Sequence, residues 1–249
     1  MTSPVPMLLE RMSVVLCAPS HPGNIGATAR AMQTMGLSRL VLVNPQRFPD
    51  ADATALASGA DAILAGARIV DTLDSAIASV KLAIGFSARP REFAGQAMSV
   101  RAAAHEALRY AATGDVALVF GTEMSGLSNA ELAHCQIVAT IPSDPDHCSL
   151  NLAAAVQVAA YELRIAAEGD RVWTAPTFEP ATQDEIAQLF SHGERTLIAL
   201  NFLRPAYPKR LMPRLRRLFA RARLEKEEVN ILRGILARID ERLAQWRPH

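Results

Sequence analysis

Residues 13–45, SVVLCAPSHPGNIGATARAMQTMGLSRLVLVNP, decide the fold that this sequence predicts. The apolar runs SVVLCA and RLVLVN predict two buried strands. Between them, residues 24–35 have the composition of a helix, which Gly36 would end. A strand, a helix and a strand in this order predict two parallel strands joined by a crossover helix.

The same alternation of strands and helices continues as far as Gly169. The run DVALVFG is almost continuously apolar, as expected for a strand whose sheet is covered on both faces. Further strands are predicted at ARIV, KLAIGFSA and QIVATIP, and further helices at residues 54–65, DTLDSAIASV, residues 99–112, SNAELAHC and SLNLAAAVQVAAYELRIAAEG. We therefore expect an α/β fold, with a mostly parallel sheet flanked by helices.

The last third of the chain differs from the rest in charge and in pattern. Residues 1–168 have a net charge of −4, from 11 Lys and Arg against 15 Asp and Glu, whereas residues 169–249 have +5, from 15 against 10. Residues 169–181, GDRVWTAPTFEPA, are typical of a linker. Three helices are predicted after it, at about 182–203, 208–223 and 225–245. We expect an α/β domain at 1–168, a linker at 169–181 and a small all-α extension at 182–249.

The bulk composition is that of a soluble globular protein. Of the 249 residues, 50% are hydrophobic and 20% are charged, and the three cysteines suit a reducing compartment. Apolar runs stay well below the ~20 residues that span a bilayer, and the N-terminus lacks the pattern of a signal peptide. The sequence thus predicts a cytoplasmic protein with no membrane contact.

Four polar loops follow predicted strands, at HPGNIGATAR, GFSARPRE, FGTEMSGLSN and IPSDPDHCSLN. In α/β sheets the carboxyl ends of the strands hold the ligand, so these loops predict one shared site. None of them matches GxGxxG or GxxxxGK[ST], which disfavours a dehydrogenase or a kinase. The pairs His134-Cys135 and His147-Cys148 lack zinc-ligand spacing, so we expect no structural metal.

The helix predicted at residues 24–35 carries one charged residue, Arg30. At ~100° per residue, its face differs from the predicted core face. The core face holds Ile25, Ala29 and Met32, whereas the Arg30 face holds Gly23, Gly26 and Ala27. Small residues there allow a ligand or a stretch of backbone to approach closely. The alternative is a solvated arginine paired with a surface carboxylate.

The C-terminal extension contains a block of positive charge. Its members are Arg204, Lys209, Arg210, Arg214, Arg216, Arg217, Arg221 and Arg223, and no acidic residue lies between the first and the last. Such a block is an electrostatic footprint for phosphate, so it predicts RNA binding. A solvated helix face is the alternative.

Three stretches together resemble the motifs of a known family. They are NIGATARAMQTMGLSRLVLVNP (24–45), ALVFGTEMSGLS (117–128) and IVATIPSDPDHCSLNLAAAVQVAAYELR (137–164). In order, spacing and strand context they resemble the motifs of the SpoU/TrmH-type RNA 2′-O-ribose methyltransferases of the SPOUT superfamily. The resemblance covers about residues 10–168, and the TrmJ-type tRNA methyltransferases are the most similar subgroup.

The resemblance implies a fold and an activity that the patterns alone do not. It implies a catalytic domain with a C-terminal trefoil knot, although knots are very rare in proteins. It implies a homodimer that uses S-adenosylmethionine, releases S-adenosylhomocysteine and methylates the 2′-hydroxyl of tRNA, at nucleotide 32 of the anticodon loop (Cm32 or Um32). The alternatives are methylation of rRNA or of another position, and a non-catalytic RNA-binding protein. The alanine-rich helix 149–168 is a candidate for the dimer interface, or else packs within its own domain.

The resemblance also assigns residues to roles. It implies that the cofactor is held by Phe86, Ser87, Ala88, Gly121, Ile141, Cys148, Ser149, Leu150 and Leu152. The polar residues that match functional positions of the family are Arg30, Glu123, Ser149 and Asn151. Because arginine stays protonated, Arg30 suits stabilisation of a developing alkoxide or contact with a phosphate better than general base catalysis. Two residues depart from the family pattern: Thr122 replaces a basic residue, and Cys148 replaces serine or another small residue.

Overall fold

Seven strands form one parallel sheet in the computed structural model, which describes residues 4–88, 96–169 and 177–245. The strands are β1 (Met12–Cys17), β2 (Arg39–Val43), β3 (Arg68–Val70), β4 (Leu82–Phe86), β5 (Gln96–Ser99), β6 (Val116–Phe120) and β7 (Ile137–Thr140). Their order across the sheet is β3-β2-β1-β6-β4-β7-β5. Every pair is parallel, which confirms the predicted sheet.

Helices cover the sheet and continue into the C-terminal extension. They are α1 (Pro4–Leu9), α2 (Pro22–Met35), α3 (Ala51–Ala57), α4 (Asp61–Ala65), α5 (Leu73–Ile77), α6 (Val100–Ala111), α7 (Asn129–Leu132), α8 (Leu152–Glu168), α9 (Gln183–Ala199), α10 (Leu211–Ala222) and α11 (Lys226–Gln245). The buried alanines of α8 pack within its own domain, against α2 and α6. These buried alanines therefore belong to the core, which leaves the outward face of α8 as the part of this helix that another copy could contact.

The opening stretch folds as the sequence predicts. Strands β1 and β2 pair in parallel with Ser13 opposite Arg39, and α2 connects them.

Some other elements differ between the prediction and the structure. The single helix predicted at 54–65 is two short helices, α3 and α4, because Ser58 takes a left-handed conformation that ends the first. Helix α1 and strand β5 were not predicted, because both are short and lack a clear apolar period. Residues 170–176 of the predicted linker lie outside the described residues.

The strand order brings together loops that are distant in sequence. Strand β6 lies between β1 and β4, and β7 lies between β4 and β5, so later strands are inserted among earlier ones. The carboxyl ends of β1, β6, β4 and β7 are therefore neighbours along one edge of the sheet. The polar loops predicted to share a site follow these strands.

Helix α3 lies directly against the Arg30 face of α2. A Cβ at Gly26 would lie 2.0 Å from the carbonyl oxygen of Ala53, and one at Gly23 would lie 2.8 Å from Leu56 Cδ1. The predicted close approach is thus made by backbone. These glycines allow two helices to pack and do not clear space for a ligand beside Arg30, which corrects that interpretation.

The contact at Gly26 predicts a loss of stability on substitution. We expect Gly26→Ala to lower the free energy of unfolding by about 1–3 kcal/mol, because the added methyl group must displace backbone. Gly234→Ala in α11 is the matched control, because a Cβ there meets nothing within 4 Å. It should raise stability by about 0.5–1 kcal/mol, as alanine in a helix does. Urea unfolding of both variants measures the difference, and equal effects would contradict the assigned contact.

The C-terminal helices dock on the α/β domain through specific contacts. The amide of Gln183 donates to Val80 O, and that of Ala181 donates to Leu224 O. Arg216 lies over the ring of Phe190, with its guanidinium carbon 4.6 Å from the ring centre. Arg223 pairs with Glu106. The three predicted helices of the extension are therefore present. The hydrogen bond from Gln183 and the ion pair of Arg223 join them to the α/β domain, whereas the contacts of Ala181 and Arg216 lie within the extension.

Candidate active site

Three loops at the carboxyl edge of the sheet enclose one cavity. They follow β4, β6 and β7, the third running into the start of α8. All nine residues predicted to hold a cofactor line this cavity, namely Phe86, Ser87, Ala88, Gly121, Ile141, Cys148, Ser149, Leu150 and Leu152. The tertiary structure thus brings together residues from three separate parts of the chain.

The floor of the cavity is aromatic and tightly packed. The rings of Phe86 and Phe120 stack with their centres 4.3 Å apart and their planes at 11°. Beside them, a Cβ at Gly121 would lie 2.0 Å from the carbonyl carbon of Gly126, so the loop after β6 can close on itself only with glycine at position 121. The result is a rigid apolar surface with backbone groups at its edge.

Thr122 has a structural role in this loop. Its hydroxyl accepts a hydrogen bond from the amide of Ser125 (3.2 Å), and its carbonyl accepts one from the amide of Gly126 (2.9 Å). A basic residue at this position would lack the hydroxyl that makes the first of these bonds. Thr122, which departs from the family pattern, therefore stabilises the turn from residue 122 to residue 126.

Glu123 is the centre of a hydrogen-bond network. Its Oε2 accepts from the amide and the hydroxyl of Ser20, at 3.0 and 2.8 Å. Its Oε1 accepts from the amide of His21 at 3.1 Å and from Asn24 Nδ2 at 3.0 Å. One carboxylate in the loop after β6 thus holds the loop between β1 and α2.

This environment keeps Glu123 ionised. Burial opposes the charged form, but the hydrogen bonds from the Asn24 side chain and from Ser20 outweigh it and lower the pKa of Glu123 to about 2. Glu123 is therefore a hydrogen-bond acceptor at neutral pH and not a proton donor.

Asn151 extends the network to the third loop. Its Nδ2 donates to Asn24 Oδ1 at 3.0 Å. Its Oδ1 accepts from the amides of Ala153 at 2.9 Å and Ala154 at 3.4 Å, which caps the N-terminus of α8. Asn24 therefore links Glu123 to Asn151 and connects all three motifs. The sequence patterns did not assign a role to Ser20, in the loop after β1, or to Asn24, in the first turn of α2, although both are polar residues that follow a strand.

The predicted polar residues do not all lie together. Glu123 and Ser149 line the cavity, and Asn151 joins the network beside it. Arg30 is exposed, and its Nη1 donates to Ser58 Oγ at 3.4 Å. It is not among the described residues that line the cavity. Within one chain, Arg30 is therefore not part of the group formed by Glu123, Ser149 and Asn151.

The eight basic residues of the extension fall into two groups. Arg216 and Arg223 are half-buried, and burial lowers the pKa of Arg216. Arg216 packs on Phe190 within the extension, and Arg223 pairs with Glu106 of α6, so both side chains already have partners in the protein. The other six are exposed, and we call them the basic patch: Arg204, Lys209, Arg210, Arg214, Arg217 and Arg221.

The described residues contain neither a metal-binding cluster nor a helix that could span a membrane. Across residues 4–88, 96–169 and 177–245, no group of three or more histidine, cysteine or acidic side chains is placed to hold a metal ion. In the same ranges, each helix is too short or too polar to cross a bilayer.

Comparison with known proteins identifies relatives for both parts of the chain. The model of the SpoU rRNA methylase family matches residues 11–161, and that of the C-terminal domain of the tRNA methyltransferase TrmJ matches residues 184–248. The tRNA (cytidine/uridine/adenosine-2′-O-)-methyltransferase TrmJ of Pseudomonas aeruginosa is 48% identical over 246 residues, covering 92% of this chain and 93% of that protein.

Other relatives agree with these matches along the whole chain. The tRNA (cytidine/uridine-2′-O-)-methyltransferase TrmJ of Escherichia coli K12 is 46% identical over 239 residues, covering 94% of this chain and 97% of that protein. The crystal structure of TrmJ from Z. mobilis ZM4 superposes with a TM-score of 0.82 at 31% identity, covering 92% of this chain and 98% of that one. This chain therefore belongs to the SpoU rRNA methylase family, in the TrmJ branch that carries this C-terminal domain.

Proposed function

We propose that this protein transfers a methyl group from S-adenosylmethionine to a ribose 2′-hydroxyl of tRNA, at nucleotide 32 of the anticodon loop. The observation that carries the proposal is that the second and third family motifs meet around one cavity and that Asn24 joins the first motif to them, in a chain that also carries a basic helical domain. Relatives that match along the whole chain are named as tRNA 2′-O-methyltransferases, which favours tRNA over rRNA. We expect such an enzyme to act in the cytoplasm, where it meets tRNA.

The cavity fits S-adenosylmethionine better than a phosphate-bearing cofactor. Among the described residues that line it there is no lysine or arginine to neutralise phosphate. Its apolar walls suit an adenine ring, and the ionised Glu123 at its edge suits a positively charged sulfonium. When bound, the cofactor supplies an electrophilic methyl group. The residues that hold it are the nine named above for the cavity.

The polar residues prepare the site for an in-line transfer. Glu123 and Asn151 hold the loops in fixed positions relative to one another, which fixes the positions of the reacting groups. Ser149 lies in the cavity wall, where its hydroxyl can orient the ribose or the cofactor. Arg30 offers a permanent positive charge to the alkoxide that develops on the 2′-oxygen, or to the adjacent phosphate.

We infer a knotted catalytic domain, as in the SPOUT superfamily. The inserted positions of β6 and β7 are in keeping with this, because a chain that threads through an earlier loop leaves late strands between earlier ones. The convergence of the loops after β4, β6 and β7 on one cavity supports it further.

We also propose that the protein is a homodimer. Helix α8 carries an outward stripe at helical spacing, formed by the exposed Ala154, Tyr161 and Ile165 and the half-buried Val158; Tyr161 and Ile165 are 50% and 48% exposed. A second copy seated on this stripe would remove it from water and could supply its Arg30 to a cavity whose described lining residues include no arginine. Sedimentation velocity tests this, and a monomer at micromolar concentration would contradict it.

The basic patch is proposed as the surface that binds tRNA. We expect the simultaneous replacement of Arg204, Lys209 and Arg214 by Gln to weaken tRNA binding and to reduce its dependence on salt. Each lost phosphate contact lowers the magnitude of the slope of log K against log salt by about 0.7–0.9. Binding titrations at several salt concentrations measure the slope.

A control with the same change of charge separates the patch from the rest of the surface. Arg47, Arg101 and Arg238 are exposed arginines that each pair with a nearby carboxylate outside the patch. Their replacement by Gln should leave the slope nearly unchanged. An unaltered slope in the patch variant would count against the assignment.

Mass mapping of tRNA after incubation with enzyme and S-adenosylmethionine tests the proposed function. We expect a gain of one methyl group on the ribose of nucleotide 32. A methyl group at another position, or in rRNA instead of tRNA, would support the corresponding alternative. Calorimetry with S-adenosylmethionine tests the alternative of a non-catalytic RNA-binding protein. Such a protein would bind RNA but would show no binding of the cofactor.

A further inference from the structure

The loop between α9 and α10 lies at the free end of the C-terminal helices. The carbonyl of Leu224, just after α10, bonds to Ala181, just before α9, so α10 runs back along α9 towards the linker. Arg216 and Phe219 of α10 pack on Phe190, midway along α9. With 17 residues in α9, the intervening residues 200–210 lie about 25 Å from its start. We call residues 200–210 the tip loop.

Two aromatic side chains of the tip loop face solvent. Phe202 is 69% exposed and Tyr207 is 77% exposed. Aromatic side chains contribute much of the energy of cores and interfaces, so a pair left in water on one loop is unusual. Their exposure needs a reason other than the stability of the fold.

The backbone of the tip loop is held in place. Leu203 is 4% exposed and anchors the loop in the helical unit. The amides of Phe202 and Leu203 both donate to Leu197 O at 3.0 Å, and the amide of Tyr207 donates to Arg204 O at 2.9 Å. Pro205 and Pro208 restrict it further. The two rings are therefore presented on a preorganised loop, which reduces the entropy lost on binding.

Positive charge lies close to the two rings along the chain. Arg204, Lys209 and Arg210 belong to the same loop, and the chain contains no acidic residue from Arg204 to Arg223. Cations that follow a backbone of phosphates, combined with aromatic faces on which bases stack, are the features of proteins that bind single-stranded nucleic acid.

We propose that the tip loop binds unpaired bases of the RNA substrate by stacking them on Phe202 and Tyr207. The proposal rests on the proposed function, because it takes RNA as the substrate. It adds a second kind of contact to the phosphate contacts of the basic patch. Because the loop is not part of the cavity wall, it contributes to the binding of RNA and not to the transfer of the methyl group.

The test uses the full-length protein with Phe202→Leu and Tyr207→Leu together, which removes both rings and keeps apolar side chains. The ligands are a tRNA transcript and a fully paired RNA duplex with the same number of phosphates. We expect tRNA binding to weaken on the order of 5- to 150-fold for each ring that stacks, with the salt slope and duplex binding unchanged. KM for tRNA should rise while kcat stays the same.

Two controls make the result specific. Phe202→Tyr with Tyr207→Phe keeps both rings and should bind tRNA like the natural protein. Ile231→Ala removes an exposed apolar side chain from α11 and should also have no effect. Because all these side chains are exposed, the variants should fold, and circular dichroism checks this.

The outcomes separate the two proposals. Unchanged tRNA affinity in the double leucine variant, or an equal loss of duplex binding, would overturn the stacking role while methylation by the natural protein still supported the function. A loss of self-association without a loss of RNA affinity would instead assign the loop to a contact between copies. Failure of the natural protein to methylate any tRNA would refute the proposed function itself.

Discussion

We expect Arg30→Ala to lower the rate of methyl transfer to tRNA on the order of 100- to 1000-fold, the usual effect of removing one group that stabilises charge in a transition state. Affinity for S-adenosylmethionine should not change, because Arg30 is not among the described residues around the cavity. Stability should change little, since the side chain is exposed and its hydrogen bond to Ser58 is long at 3.4 Å. Single-turnover kinetics and calorimetry measure the two quantities.

Two further variants define what Arg30 contributes. Arg30→Lys keeps the charge but loses the planar fork, so partial activity indicates that charge is the main contribution. Gln33→Ala removes another exposed side chain of α2 and should leave activity unchanged. Turnover of Arg30→Ala close to that of the natural protein would refute the assigned role.

The second large effect is expected at Glu123. Glu123→Ala removes the acceptor for the amides of Ser20 and His21 and for the side chain of Asn24, so the loop before α2 loses its link to the cavity. We expect cofactor binding and methyl transfer to weaken together, on the order of 10- to 100-fold, as unsatisfied donors cost about 1–3 kcal/mol. Calorimetry and initial rates measure both.

A neighbouring carboxylate supplies the control. Glu131 accepts a hydrogen bond from the amide of Ser128 at 2.7 Å in the same connection between strands, but it is not among the described residues around the cavity. Glu131→Ala should shorten α7 and leave cofactor affinity unchanged. If both alanine variants lost affinity equally, general disturbance of this connection would explain the result and the network would not.

The lowered pKa of Glu123 also predicts a dependence on pH. Because the folded-state pKa lies near 2 and the ordinary value is 4.5, this group stabilises the fold fully above about pH 4.5. The contribution is lost as the pH falls from there towards 2. In Glu123→Gln this part of the acid sensitivity should disappear, which urea unfolding at pH 6 and pH 3 can measure.

Local patterns predicted the elements but not their contacts. The helix period placed Ile25, Ala29 and Met32 in the core, and all three are fully buried. The same period placed glycines beside Arg30, but it could not say that α3 would fill that face. Helix α3 comes later in the chain, and its packing depends on a contact between two backbones.

The sequence by itself determined the parallel α/β fold, the helical extension and the residues of the three motifs, because these depend on short-range periodicity and on the identity of the residues. The tertiary structure decided which loops meet, since the insertion of β6 and β7 among earlier strands brings residues near positions 24, 123 and 151 into one network. It also separated the exposed cations of the basic patch from Arg216, which packs on Phe190 within the extension, and from Arg223, which pairs with Glu106 of the α/β domain. Charge can be counted along a chain, but its exposure depends on how distant segments pack.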